Sequence, residues 1–357
     1  MERKLVTVRQ INTLDPIPGA DAIEVAGIEG WKVVTKKGEF NIGDFCLYFE
    51  IDSFLPESDP RYSFLMKSGV REFEGARGHK LRTVKLRGQL SQGLALPLGL
   101  FPELSITGDA SLKIAMRDFD LAEKLGIKKY EAPIPAQLAG LVKGAFPSFI
   151  KKTDQERCQN LIGEIFIDNK HSSYEVTTKL DGTSVTFYHY DGEGGACSRN
   201  LEMKIVDENK ENSIVRMFID SGIQRALTFL NHNVAIQGEL MGPSIQGNRE
   251  GLKHHVFYVF DIQNLHTGGY FTPAERTNFV DGLIAGGMNS GIVSHVPVLH
   301  EAKTLSQLGI SNVEELLAYA EGVSINNPIR EGVVFKRTDG KFSFKAISNS
   351  FLTKEKD

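Results

Sequence analysis

The 357 residues carry 41 lysines and arginines against 45 aspartates and glutamates, a formal net charge of −4, and 41% of them are hydrophobic. That length suits about two domains, each able to enclose its own core, and the balance excludes a disordered or low-complexity chain. No apolar run approaches a membrane span, and Met1-Glu-Arg-Lys-Leu lacks the apolar stretch of a secretory signal, so an intracellular location is expected. Cys46, Cys158 and Cys197 are odd in number and scattered, which points to buried thiols and not to a disulfide framework or a zinc site. An acidic average still allows a local cationic groove.

In chain order, the first hundred residues read as short strands separated by turns. Ile23 to Ala26, Trp31 to Thr35 and Phe45 to Ile51 are rich in β-formers and punctuated by Gly30, Gly38 and Gly43. His79 to Arg87 and Gly93 to Pro97 continue the pattern. A small barrel of OB type fits over 1–104. From 105 to 148 a connector is expected, with a short helix over Asp118 to Gly126 and breaks at Pro133, Pro135 and Pro147. From 149 to 357 strands return, with helical stretches at Glu208 to Leu230, Pro273 to Gly287 and Val313 to Gly322. The mixture predicts an α+β domain built on antiparallel sheets with flanking helices.

The chemistry concentrates in this last region. Lys179 opens the tetrapeptide Lys-Leu-Asp-Gly between two strand-like stretches. A free lysine has a pKa of about 10.4 and is almost wholly protonated near pH 7, so a nucleophilic role needs burial, a neighbouring cation or a metal to lower that value. Gly182 permits close backbone approach, and Asp181 can orient the lysine, a ribose or metal-bound water. Asp-Gly also favours hairpin turns, but the companion segments tip the reading towards function. Further on stand Ser198-Arg199-Asn200, Gln237-Gly238-Glu239-Leu240, Phe257 to Ile262, Glu331 to Lys336 and Phe342-Ser-Phe-Lys345. Glu239 and Glu331 suit the waters of a hard divalent cation. Arg199 can pair bidentately with a phosphate. Tyr258 and Phe260 share one face of a strand, with Phe257 and Val259 on the other. Lys341, Ser343 and Lys345 share another strand face, where a cation could neutralise phosphate charge and depress the pKa of Lys179. In the barrel, Lys80, Arg82, Lys85 and Arg87 can bind a nucleic-acid backbone if a bulge or turn separates the two pairs.

The ordered set resembles the covalent nucleotidyltransferases, and among them the ATP-dependent, nick-sealing RNA ligases that carry an amino-terminal OB domain. The resemblance extends to Lys151-Lys-Thr-Asp-Gln-Glu-Arg-Cys-Gln-Asn160 and to the segments Gly38 to Asp52 and Thr83 to Pro97. It implies ATP and Mg²⁺ or Mn²⁺ as cofactors, with Lys179 becoming lysyl-AMP and Lys345 assisting at the α-phosphate. Asp181, Glu239 and Glu331 would hold the metal through waters, Glu239 also touching the ribose. Phe260 would stack on adenine, Arg199 would take the phosphate of AMP or of the RNA 5′ end, and Arg157 with Gln159 would touch ATP or substrate phosphate. Nicked duplex RNA or RNA-terminated nucleic acid is the partner implied; apart from the resemblance, a monomer with no membrane partner is expected. Two departures stand out. Ser343 occupies the first position of the usual Lys-x-Lys, leaving its role absent or supplied by Lys336 or Lys341. Thr178 stands where several ligases have an acidic or otherwise polar adenine contact. The alternatives are a capping-type guanylyltransferase, a DNA ligase, or a non-catalytic RNA-binding protein with an OB barrel.

Overall fold

The computed structural model describes residues 4–106, 110–131 and 140–354. The chain forms two compact units, the first reaching residue 134 and the second running from 135 to 354.

In the first unit, Val6–Gln10 and Leu94–Pro97 pair antiparallel to either side of Phe45–Phe49. The central strand is apolar throughout because both of its faces are covered. Leu47 and Phe49 enter one core with Val6 and Val8, while Cys46 and Tyr48 enter a second with Trp31 and Val33. Strand Trp31–Lys36 alternates instead, with Trp31, Val33 and Thr35 inward and Lys32 and Lys36 outward. The expected run from His79 to Arg87 divides into Ala76–Lys80 and Thr83–Leu86, which belong to different sheets.

The stretch expected as a connector is shared between the units. Leu121, Ala122, Leu125 and Ile127 complete a barrel core, and Lys128–Lys129 pairs with Ser53–Pro56. The helix expected over Asp118 to Gly126 is reduced to the short turns Met116–Asp118 and Glu123–Leu125. Between them the Asp120 carboxylate accepts the N–H groups of Leu5 and Val6, both at 3.0 Å, which ties the segment to the barrel edge. Pro133 and Pro135 lie outside the described residues. Val142–Ala145 pairs with Leu201–Met203 in the second unit.

That second unit contains a seven-stranded and a five-stranded sheet. Both are antiparallel apart from Val293–His295, parallel to Val256–Asn264, and Glu156–Arg157, parallel to Ser343–Ile347. The expected helical stretch from Glu208 to Leu230 is two helices, Ser213–Asp220 and Ile223–Leu230. Gly222 separates them with a φ of 79°, a backbone state open mainly to glycine. Helix Pro273–Ala285 begins with Thr272 and Glu275 in a reciprocal capping box. These three helices cover the larger sheet over a core that includes Phe187, Phe218 and Phe257, and Val313–Tyr319 covers the smaller one over Phe335 and Phe344.

All three cysteines are buried and free, and burial pushes the thiols of Cys46 and Cys158 up to about 12. Among the described residues no helix is long and apolar enough to cross a membrane.

Candidate active site

The Lys-Leu-Asp-Gly tetrapeptide is not a hairpin. It carries the chain from Ser173–Lys179, in the five-stranded sheet, to Thr183–Tyr190, in the seven-stranded one. The period of two along these strands then sorts the chemistry. Tyr174, Val176, Val333, Phe335, Phe344 and Ala346 pack into the core, while Glu175, Thr177, Lys179, Val334, Lys336 and Lys345 line a cavity of about 310 Å³. Asp181, Gly182, Glu239, Glu331, Phe260 and Arg199 line the same cavity.

The Lys179 ammonium lies 2.6 Å from the Glu331 carboxylate. Burial lowers its pKa, but the carboxylates of Glu331, Glu239 and Asp181 raise it, and together they outweigh burial. The amine is therefore held above the ordinary lysine range instead of being depressed. Burial pushes the Glu239 carboxyl the other way from its charged form, up to about 8, against the opposing pull of Lys179. Gly182 donates its N–H to Glu239 Oε1 at 3.0 Å. A Cβ at Gly182 would meet the Leu240 carbonyl oxygen at 2.5 Å, so close approach accounts for this glycine.

Phe260 sits at a bulge. Val259 pairs with Gly238 and Asp261 with Gln237, which leaves Phe260 as the extra residue and admits Asp261 to the cavity wall as well. Phe260 shares a cluster with Tyr258, and Phe257 and Val259 lie in the opposite core. The carbonyl of Phe260 accepts from Arg276 Nη1 at 3.2 Å and from Lys336 Nζ at 3.0 Å. Arg276 in turn forks onto Glu175 at 2.7 and 2.8 Å, and Lys336 pairs with Asp261. The ammonium of Lys336 is thus directed at the Phe260 bulge, which argues against its replacing the missing lysine at Ser343. Lys341 is exposed and does not line the cavity.

Ahead of strand Ser173–Lys179, Lys151 and Thr153 lie against the larger sheet. Lys151 exchanges hydrogen bonds with the side chains of Gln263 and Gln237, and Thr153 reaches Ser184 at 3.1 Å. Asp154 caps no helix and accepts both bonds from Arg199 Nη2, at 2.9 and 3.0 Å. Arg157 pairs in register with Lys345 but does not line the cavity. Gln159 is 1% exposed beside Cys158, away from the cavity wall, so the expected contact with nucleotide is not supported there. In the first unit Arg82 and Arg87 are exposed, while Lys80 pairs with Asp52 at 3.0 Å and covers the Tyr130 ring. Lys85 lies half-buried on Thr83–Leu86.

Sequence reasoning missed Glu175, Asp261, Gln246 and Arg276. Glu175 was legible from alternation, four residues before Lys179. Asp261 was hidden by the bulge, and Gln246 and Arg276 sit on elements with no motif.

Among the described residues no three acidic, histidine or cysteine side chains are close enough to ligate one metal directly. Asp181, Glu239 and Glu331 nevertheless line one cavity, a hard oxygen set that suits a cation retaining its waters.

A family profile described as an OB-fold domain matches residues 5–98, and one described as RNA ligase matches residues 172–347. No curated protein matches the sequence significantly. Several solved structures of the Naegleria gruberi RNA ligase are similar to this chain. The apo form of an aspartate-to-alanine variant has a TM-score of 0.83 at 47% identity, with 99% of both chains covered. A lysine-to-alanine variant with ATP and Mn has a TM-score of 0.82 at 47% identity, covering 98% of this chain and 99% of that one. The ligase with PPi has a TM-score of 0.82 at 47% identity over 100% of both chains. With near-half identity along its whole length, the chain belongs to the RNA ligase family and carries an OB-fold domain ahead of its ligase domain.

Proposed function

We propose that this RNA ligase is ATP-dependent and seals 3′-OH/5′-phosphate ends or nicks in RNA duplexes, including duplexes whose 3′-OH strand alone ends in RNA. The observation that carries the reading is the convergence of Lys179, Glu331, Glu239, Arg199, Phe260 and Lys345 on one cavity. Use of ATP is supported by the Naegleria gruberi ligase having been solved with ATP and Mn.

In the first step Lys179 Nζ attacks the α-phosphorus of ATP, the bond to pyrophosphate breaks, and a phosphoramidate to AMP forms. AMP then passes to the RNA 5′-phosphate oxygen, and attack by the 3′-OH on that phosphate expels AMP and leaves a phosphodiester. Phe260 offers its ring to adenine. Arg199 exchanges Asp154 for a phosphate, keeping its two-pronged geometry. Lys345 neutralises charge growing on the α-phosphate, with Arg157 beside it on the neighbouring strand. Asp181, Glu239 and Glu331 hold Mg²⁺ or Mn²⁺ through its waters. The bound cation supplies positive charge to the phosphates. Lys179 must release Glu331 and lose a proton before it can attack.

Lys80, Arg82, Lys85 and Arg87 of the OB domain favour backbone contact, so duplex binding should be salt-sensitive and weakly sequence-specific. Family membership does not favour a guanylyltransferase, a DNA ligase or a non-catalytic binder. Intact mass after incubation with ATP, Mn²⁺ and pyrophosphatase tests the reading: the wild type gains AMP and Lys179→Ala gains none. Labelling by GTP instead, or adenylation that survives Lys179→Ala, would overturn it.

A further inference from the structure

The loop after strand Val234–Met241 adopts a backbone that folded chains avoid. Ser244, Gln246, Gly247, Asn248 and Gly251 have φ of 67°, 43°, 67°, 48° and 63°, and three of these are not glycine. Left-handed states in such residues persist only where the surroundings over-determine them. Here they do. Asn248 bonds through its side chain to both the N–H and the carbonyl of Leu252, at 3.0 and 2.9 Å. Asn326 and Asn327 donate backbone N–H groups to the Glu250 carboxylate at 2.5 and 3.1 Å, and the Asn327 side chain donates to the Arg249 carbonyl at 3.1 Å.

What this scaffold fixes is Arg249. Its guanidinium lies over the Phe351 ring, 4.4 Å from the centroid, within the range of cation–π attraction. Its Nη1 is buried, makes no hydrogen bond, and lies 3.6 Å from Asp181 Oδ2. That separation is an ion pair but is too long for a hydrogen bond. The charge therefore steadies the carboxylate without capturing a lone pair. Arg249 does not line the cavity whose wall holds Asp181, Glu239 and Glu331, so it opposes their mutual repulsion from behind.

We infer that Arg249, seated on Phe351, is a positioning residue that holds the Asp181 carboxylate beside the nucleophile. The inference rests on the ligase reading above. Lysine keeps the charge but lacks the planar face that stacks on Phe351, so Arg249→Lys should restore function only in part.

The test is single-turnover formation of lysyl-AMP by the full chain at saturating ATP and Mn²⁺, followed by intact mass. Arg249→Ala should slow adenylation by about tenfold or more, as loss of supporting partners around metal ligands commonly does, with little change in the ATP concentration for half-maximal rate. In an Asp181→Asn background the same substitution should have almost no further effect. A second cycle, on metal-free urea denaturation midpoints, should likewise show the double variant falling short of the summed single shifts. If Arg249→Ala does not fold, Phe351→Leu takes its place and should show the same non-additivity with Asp181→Asn. Equal losses in both backgrounds, or none, overturn the role of Arg249 while leaving the ligase reading intact. A wild-type chain that acquires no AMP overturns the ligase reading first.

Discussion

Lys179 and Glu331 face each other at 2.6 Å, so the amine is paired with a group that keeps it protonated. Burial alone would lower the lysine pKa, and the carboxylates reverse the sign. In metal-free protein, Lys179 should therefore react with an amine-directed reagent only at a pH above that of an ordinary lysine. Glu331→Gln removes a raising influence and leaves burial in place, so the inflection should move to lower pH. Peptide mass spectrometry of the labelled lysine across a pH series checks this, and an inflection unchanged or raised in Glu331→Gln would contradict it.

At Gly182, a methyl group would sit 2.5 Å from the Leu240 carbonyl oxygen and 2.9 Å from Glu239 Cγ. The turn that follows Lys179 would have to shift. Misplacement of reacting groups by about 1 Å can cost on the order of 100-fold in rate, and Gly182→Ala should lose about that much in single-turnover adenylation. A rate within twofold of wild type would show that the close contact is dispensable.

The Glu175–Arg276 pair is 5% and 1% exposed at its side chains. Removing one member leaves a buried charge without its partner, at a cost of about 3 to 5 kcal/mol. Arg276→Leu should destabilise the ligase domain by that amount in urea unfolding. The double variant Glu175→Leu/Arg276→Leu should be markedly less destabilised, and equal losses in single and double variants would refute the account.

In the OB domain, Asp59 accepts from the Arg61 side chain and backbone at 2.6 to 3.0 Å. The Arg61 side-chain hydrogen bond is the main cause holding its carboxyl below the usual aspartate range. Stabilisation from a depressed carboxyl is complete above its unfolded pKa and disappears as pH falls through the lower folded value. The domain should therefore lose stability below about pH 4, and Asp59→Asn should flatten that loss. At neutral pH, Asp59→Ala removes both the turn's cap and a partly exposed ion pair, together on the order of 1 to 2 kcal/mol. Thermal melts across pH 2 to 7 provide the measurement, and parallel profiles for wild type and Asp59→Asn would count against it.

What could be read from residues alone follows from how local each signal is. Strand alternation disclosed the face that carries Lys345, and Lys179, Gly182 and Glu239 were legible from short motifs, although Gly182 and Glu239 meet across 57 positions. The barrel's central strand was visible as an apolar run. The helix over Asp118 to Gly126 failed because Asp120 bonds to Leu5 and Val6, more than a hundred residues away. Gln159 was expected near phosphate from its motif context, and it is buried beside Cys158, off the cavity wall. The Arg276 fork and the Arg249 ion pair join residues 101 and 68 positions from their partners, beyond the reach of any periodicity.

Two cations converge on the Phe260 carbonyl from helix Pro273–Ala285 and strand Gly332–Arg337. The peptide that carries this ring is thereby held in place from two sides. If adenine stacks on Phe260 as proposed, the ordering entropy of that stretch of backbone is surrendered once, when the domain folds, and not again on each encounter.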